Sequence, residues 1–336
     1  MTNITQNFRK QFNRRDFIKI TAALGSVMIG GGLFHAIETH RQTVVHDERL
    51  LMGTIVSLSV VTDGSSRGQT IIDATYQAMN NLTQYFDYRR SDAEVGQLNR
   101  VGELKQPSPE LVSLLRRAVY QGEISNGAFD ITVLPVLQGI SGNRLPSIQD
   151  LQLVNYRNIL IRDDLVSFKT PGMAVTLDGI AKGRVVDGGV SKLKELGYTN
   201  IMVEAGGDLQ AEGNDPDGKP WKIGVMNPRA VTSNQWLATF SVTDHAVATS
   251  GDYQNSFTSD YALNHIIDPR TGLSPTELAS ATTIASSVME ADAFSTTLMV
   301  MGVEKGLQMV EQLPGVEAFL VTKDLRTFRS SGFPVI

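Results

Sequence analysis

The chain has 336 residues and a mass of 36.6 kDa, room for one large or two ordinary domains at about 100–200 residues each. Hydrophobic residues make up 41% and charged residues 19%, which excludes a disordered chain and a polytopic membrane protein. The absence of cysteine excludes disulfide frameworks, zinc–cysteine and iron–sulfur ligation, thiol nucleophiles and a lipoprotein anchor, and a net charge of −5 leaves no basic surplus for binding nucleic acid.

The N-terminus has the layout of an export signal, with basic residues, a moderately apolar glycine-rich run and small residues in that order. Arg14-Arg15, with Phe17 two residues on, resembles a twin-arginine signal, which a receptor reads. The run Ile20–Ile37 is 18 residues long and carries four glycines, short and weak against the ~20 strongly apolar residues of a spanning helix. Residues 1–40 are therefore expected to be a targeting segment handled by the twin-arginine export machinery, and residues 41–336 the exported body, in the periplasm. Leu33-Phe34-His35-Ala36 matches a small-x-small cleavage site poorly, which leaves an uncleaved, membrane-tethered form open. The body carries 25 basic against 33 acidic residues, so it is not an obvious binder of membrane surfaces.

From about residue 45 onward there is no linker, low-complexity stretch or repeat. Ile55–Val61 alternates as a strand does, and Ile72, Tyr76, Met79 and Phe86 recur at helical spacing, predicting an amphipathic helix over 68–86. Ser108-Pro109 reads as an N-cap and first helical residue, with Leu111, Leu115, Ala118, Val119 and Gly122 behind it. A helix is expected from Ile180 to Leu196, stopped by Gly197. Strands are expected at Ile201–Val203, Trp221–Met226, Leu237–Thr243, Ala281–Ala285 and Ala318–Val321. Helices are expected to begin near Glu290 and near Glu304, the second ended by Pro314-Gly315. Helices and strands mix without strict alternation, which favours an α+β fold.

Four clusters could carry chemistry. Asp178-Gly179-Ile180-Ala181-Lys182-Gly183 ends a strand and opens a helix, placing backbone N–H groups and a lysine where a phosphate could sit. It lacks P-loop spacing, and a tight turn with an exposed lysine explains it about as well. Glu204-Ala205-Gly206-Gly207-Asp208 reads first as a structural turn. Ala248–Tyr253 precedes His265-Ile266-Ile267-Asp268-Pro269-Arg270-Thr271-Gly272, dense turn chemistry behind a histidine that could act as acid, base or phosphate donor. In Glu290–Thr297, a helix puts Asp292 and Thr296 one turn apart on one face. That is a hard-oxygen pair suited to Mg²⁺, though a helix start alone also explains an aspartate there.

The order of the motifs is more specific than any one of them. Met52-Gly53-Thr54, Tyr88, Gly127-Ala128-Phe129-Asp130, Asp178–Gly183, Ala205–Asp208, Ala248–Tyr253, His265–Gly272 and Ala291-Asp292-Ala293 with Thr296 together resemble the ApbE family of FAD:protein FMN transferases, over roughly residues 45–325. With its twin-arginine start and no lipoprotein cysteine, the chain looks more like the NosX branch of that family.

The resemblance implies a T-fold-like α+β catalytic domain that binds FAD and Mg²⁺, splits the FAD pyrophosphate and esterifies FMN to a threonine or serine of a target protein, releasing AMP. It implies a membrane-bound electron-transfer flavoprotein as target, of the NosR type in nitrous oxide reductase maturation. Residue by residue, it implies that Met52, Tyr88, Ala128, Phe129, Asp130, Thr176, Asp178, Lys182 and Ile266 hold FAD. The carbonyl of Gly179, with Asp292 and Thr296, holds the metal. A base should assist the acceptor hydroxyl, and His265 or Asp268 could serve, His265 also being able to stabilise phosphate charge if protonated. The family often has aspartate where this chain has Thr176, and Asp178 or water could take its place. Two other readings use the same cleft: an FAD pyrophosphatase, and an exported flavin carrier without turnover.

Overall fold

A computed structural model describes residues 43–62, 68–230 and 235–334. The expected targeting segment, residues 1–40, lies outside them.

Thirteen strands and seven α-helices form among the described residues. The strands are β1 (Thr43–Leu51), β2 (Thr54–Thr62), β3 (Glu103–Lys105), β4 (Ile159–Ile161), β5 (Leu165–Phe168), β6 (Ile201–Ala205), β7 (Asp208–Glu212), β8 (Trp221–Met226), β9 (Trp236–Val242), β10 (His245–Gly251), β11 (Leu278–Ala285), β12 (Glu317–Thr322) and β13 (Thr327–Arg329). The helices are α1 (Gly68–Phe86), α2 (Glu94–Val101), α3 (Pro109–Ile124), α4 (Leu134–Ser141), α5 (Ile148–Gln152), α6 (Ala181–Glu195) and α7 (Val288–Val310). The expected α+β class holds.

One eight-stranded antiparallel sheet, in the order β1-β2-β6-β7-β10-β11-β12-β13, forms the centre. Strand alternation divides its side chains between two faces. Leu58, Val60, Ile201 and Val203 pack under α1 and α6, with Met79, Val185 and Val190. Val61, Met202, Leu209, Phe319 and Val321 pack on the other face against the β8–β9 ribbon, through Trp221, Ile223 and Phe240. The small sheet β3-β5-β4 and the helices α2 to α5 lie to one side, and Leu111, Leu115, Val166 and Val175 join the same core as α1 and α6.

Local signals work where the sequence is locally explicit. Ser108 Oγ accepts the Leu111 N–H at 3.1 Å, with Pro109 opening α3. Gly197, at φ 91°, ends α6: its N–H reaches the Lys194 carbonyl, and the Tyr198 N–H reaches that of Leu193. The helices expected near Glu290 and near Glu304 both form, as the two halves of α7, which is broken between them at Gly302 (φ 76°, ψ −173°). The extra strands β7 and β10 are buried, yet they carry Asp208, Gln210, Glu212, Thr249 and Ser250, so no apolar pattern announces them. No helix among the described residues is long and apolar enough to cross a membrane.

Candidate active site

Two helices set the site. α6 passes so close to the start of α7 that a Cβ on Gly183 would lie 2.4 Å from the Val288 carbonyl oxygen. Only glycine permits that approach. From α6, Asp187 accepts the Val288 and Met289 N–H groups at 2.8 and 3.1 Å, fixing the N-terminus of α7. One turn on, Asp292 Oδ2 accepts the Gly183 N–H at 3.0 Å.

These elements floor a cleft of about 1110 Å³. The β1–β2 turn brings Met52; the turn after α1 brings Tyr88 and Arg89; the segment before α4 brings Ala128, Phe129 and Asp130. Thr176, Asp178, Gly179 and Lys182 come from the entry to α6, His265 and Ile266 from the loop after β10, and Asp292 and Thr296 from α7. Thirteen of the fourteen residues singled out from sequence thus share one cavity, the exception being Asp268.

Asp268 does not line the cleft. Its carboxylate grips Arg270, with Nη2 at 2.7 Å, and its carbonyl accepts the Thr271 and Gly272 N–H groups. It closes the Asp-Pro-Arg-Thr-Gly turn, and that turn chemistry removes it from the candidates for a base. Asp130 borders the cleft, but its carboxylate is turned inward: Oδ1 accepts Thr132 N–H at 2.8 Å and Thr132 Oγ1 at 2.6 Å, and Oδ2 accepts Tyr156 N–H at 3.0 Å. These bonds tie the Asp130 side chain to Thr132 and Tyr156, while the residue itself still lines the cleft.

The polar floor is dense. Lys182 Nζ pairs with Asp208 Oδ2 at 2.6 Å, and Asp208 Oδ1 accepts the Thr249 N–H at 3.2 Å. Ser250 Oγ lies 2.8 Å from Ser295 Oγ and 3.1 Å from Thr296 Oγ1. A Cβ at Gly179 would lie 3.0 Å from Thr296 Oγ1, so the Gly179 turn and the Thr296 hydroxyl are neighbours. Arg89 clamps Asp178 with two bonds of 3.0 and 2.6 Å while lying 4.2 Å over the Tyr88 ring. Thr176 Oγ1 accepts the Asp178 N–H at 3.2 Å.

Burial, then the neighbouring Asp208, push the Asp292 carboxyl well above the usual range, offset only in part by Lys182. Burial lowers the Lys182 ammonium, but Asp208 and Asp292 outweigh it and keep it charged. Burial pushes His265 down to about 4, so its ring is neutral at pH 7 in the free protein. Its Nδ1 is buried without a hydrogen-bond partner.

Arg89, Ser250 and Asp208 are functional candidates that sequence reasoning did not select. Asp208 stood at the end of a motif read as a turn. The turn is real, with Gly206 and Gly207 at φ 59° and 100°, but the residue after it supplies the carboxylate for Lys182.

Below that turn, Glu204 accepts the Gly207 N–H at 2.7 Å and the Ser57 hydroxyl at 3.3 Å. Burial, with Asp208 nearby, pushes its pKa up to about 7 from 4.5. The folded state therefore binds this proton more tightly than the unfolded state. Its stability contribution is present below pH 4.5 and lost as pH rises through 7. Glu204→Gln, which keeps an acceptor for Gly207, is expected to flatten the fall in melting temperature between pH 5 and 8 and to gain on the order of 1–3 kcal/mol at pH 8. An unchanged pH slope in calorimetry refutes this.

Residues 52–320 match the model of the ApbE family. The chain belongs to the ApbE family. A relative from Vibrio cholerae, an FAD:protein FMN transferase, is 31% identical over 309 residues, covering 86% of this chain and 91% of the relative. Another of that description, from Haemophilus influenzae, is 30% identical over 285 residues, covering 78% and 82%. Among solved ApbE structures, the apo flavinyl transferase from Pseudomonas stutzeri superposes with a TM-score of 0.77 at 28% identity, covering 88% of this chain and 97% of that one. The flavin transferase from Vibrio cholerae superposes at 0.76 and 27%, covering 87% and 98%. The ApbE fold thus extends over nearly all the described residues.

Proposed function

We propose that this protein is an FAD:protein FMN transferase, moving FMN from FAD to a threonine or serine hydroxyl of a target protein. The observation that carries the reading is the convergence of Asp292 and the Lys182–Gly183 turn, 109 residues apart at the Asp292–Gly183 bond, on one cleft with His265.

The acceptor oxygen attacks the phosphorus of the FMN half. A new P–O bond forms as the P–O bond to AMP breaks, the electron pair leaving with AMP, and the hydroxyl proton passes to a base. His265 is that base, being neutral, in the cleft and free at Nδ1. Lys182 stabilises charge on the phosphate oxygens. Tyr88, Met52 and Phe129 offer apolar surface for the flavin rings.

Mg²⁺ fits the chemistry of the floor: Asp292, Thr296 and the Gly179 carbonyl are few, hard oxygen donors, and the Asp292 carboxylate is buried with negative charge in excess around it. When bound, Mg²⁺ supplies Lewis-acid neutralisation of the diphosphate.

Arg14-Arg15 and Phe17 support export to the periplasm by the twin-arginine machinery. The NosX-like resemblance supports a membrane-bound NosR-type flavoprotein as the target.

Incubation of the protein with FAD, Mg²⁺ and an acceptor domain is expected to yield AMP and a covalent FMN adduct on one hydroxyl residue, read by mass spectrometry. AMP with free FMN and no adduct means an FAD pyrophosphatase instead, and bound FAD with no AMP means a carrier. Either result overturns the reading.

A further inference from the structure

Lys182 stands between two acidic side chains. Its ammonium pairs with Asp208 at 2.6 Å, and the N–H of the next residue, Gly183, is bonded to Asp292. The charge of Asp292 also acts on the Lys182 ammonium. A flexible lysine stem gives the ammonium access to more than one acceptor, so something must decide which carboxylate it takes. Asp208 is 1% exposed and is itself held: its other oxygen accepts the Thr249 N–H, and it begins β7 directly after a tight turn whose second residue, Gly207, is bonded to Glu204. The anchor is rigid on three sides.

We infer that Asp208 is a positioning residue that draws the Lys182 ammonium away from Asp292, keeping the Asp292 carboxylate open for a divalent cation while aiming the lysine at the substrate phosphates. This deepens the transferase reading and rests on it. Without Asp208, the carboxylate with the strongest remaining pull on the lysine is Asp292. A Lys182–Asp292 pair occupies the carboxylate with a fixed positive charge and opposes a cation electrostatically. The prediction therefore concerns cation affinity, although Asp208 is not counted among the cation's donors.

Two variants test this in the full chain. Asp208→Asn keeps the shape and an acceptor for Thr249 but releases the lysine. Mn²⁺ binding in the presence of FAD, read as loss of the free-ion paramagnetic resonance signal, is expected to weaken about 10–100-fold. Lys182→Met in the Asp208→Asn background removes the competing ammonium and is expected to restore Mn²⁺ affinity toward wild type, although FMN transfer stays low because a phosphate contact is gone. Thermal melting of each variant is recorded alongside.

Asp208→Asn with unchanged Mn²⁺ affinity overturns the inference. So does a double variant that binds Mn²⁺ no better than Asp208→Asn, because that is the signature of general damage to the floor. If wild type binds Mn²⁺ and the variants behave as expected but wild type forms no FMN adduct, the transferase reading fails while the role of Asp208 stands.

Discussion

Replacing Asp292 by asparagine is expected to lower FMN transfer by about 10³-fold or more while leaving the melting temperature unchanged or raised. The loss follows from removing the buried carboxylate proposed to hold the cation, since Lewis-acid neutralisation of a phosphoryl group contributes several kcal/mol to the barrier, about tenfold in rate for each 1.4 kcal/mol. The stability side follows from the same burial. The Asp292 charge is desolvated, pushed further by Asp208, and rewarded by a single backbone N–H from Gly183. An amide keeps that acceptor and removes the charge, and sites that hold such charges for function are places where stability and activity oppose each other. The flavin-labelled acceptor is measured by mass and the fold by calorimetry. Undiminished transfer refutes the cation assignment, and a large fall in melting temperature shows that the side chain was holding the fold.

His265→Gln is expected to lower transfer by about 10²–10⁴-fold, the range for losing a positioned base. Its Nδ1 has no partner to lose, so the melting temperature at pH 7 is expected to hold. The pH profile carries the sharper test. Because burial holds the ring at about 4 in the free protein, kcat/KM for FAD is expected to be flat near neutrality and to fall as pH drops toward 4. The limb in kcat lies higher, since the bound diphosphate places negative charge beside the ring and raises its proton affinity. Stability follows the same group: the folded pKa lies below the ordinary 6.5, so the contribution is complete above 6.5 and lost as pH falls through about 4. Asp268→Asn provides the contrast, because that side chain pairs with Arg270 away from the cleft and a half-exposed ion pair contributes at most about 1 kcal/mol. A larger rate loss from Asp268→Asn than from His265→Gln reverses the assignment of the base.

Segments whose determinants are local were legible from sequence. The apolar spacing of α1, the Ser108 cap of α3 and the glycine stop of α6 each depend on neighbours within a turn or two, and each forms as expected. Asp292 and Thr296 could be set on one helical face for the same reason. β7 and β10 were not legible, because buried polar residues (Asp208, Gln210 and Glu212 in β7, Ser250 in β10) interrupt their apolar pattern, and that burial depends on partners far along the chain.

The choice between His265 and Asp268 was likewise closed to sequence. Three residues apart, both are chemically able to take a proton, and only the packing shows one ring buried in the cleft and the other carboxylate closing a turn on Arg270. The sequence by itself determined α1, α3, α6 and α7, the α+β class, the ordered motifs and the residue types of a candidate phosphate and cation site, since these are written in short-range spacing. The tertiary structure decided which carboxylate meets Lys182, which one turns inward onto Thr132 and Tyr156, and that Arg89 clamps Asp178, because charge pairing and desolvation depend on distances between segments up to 109 residues apart.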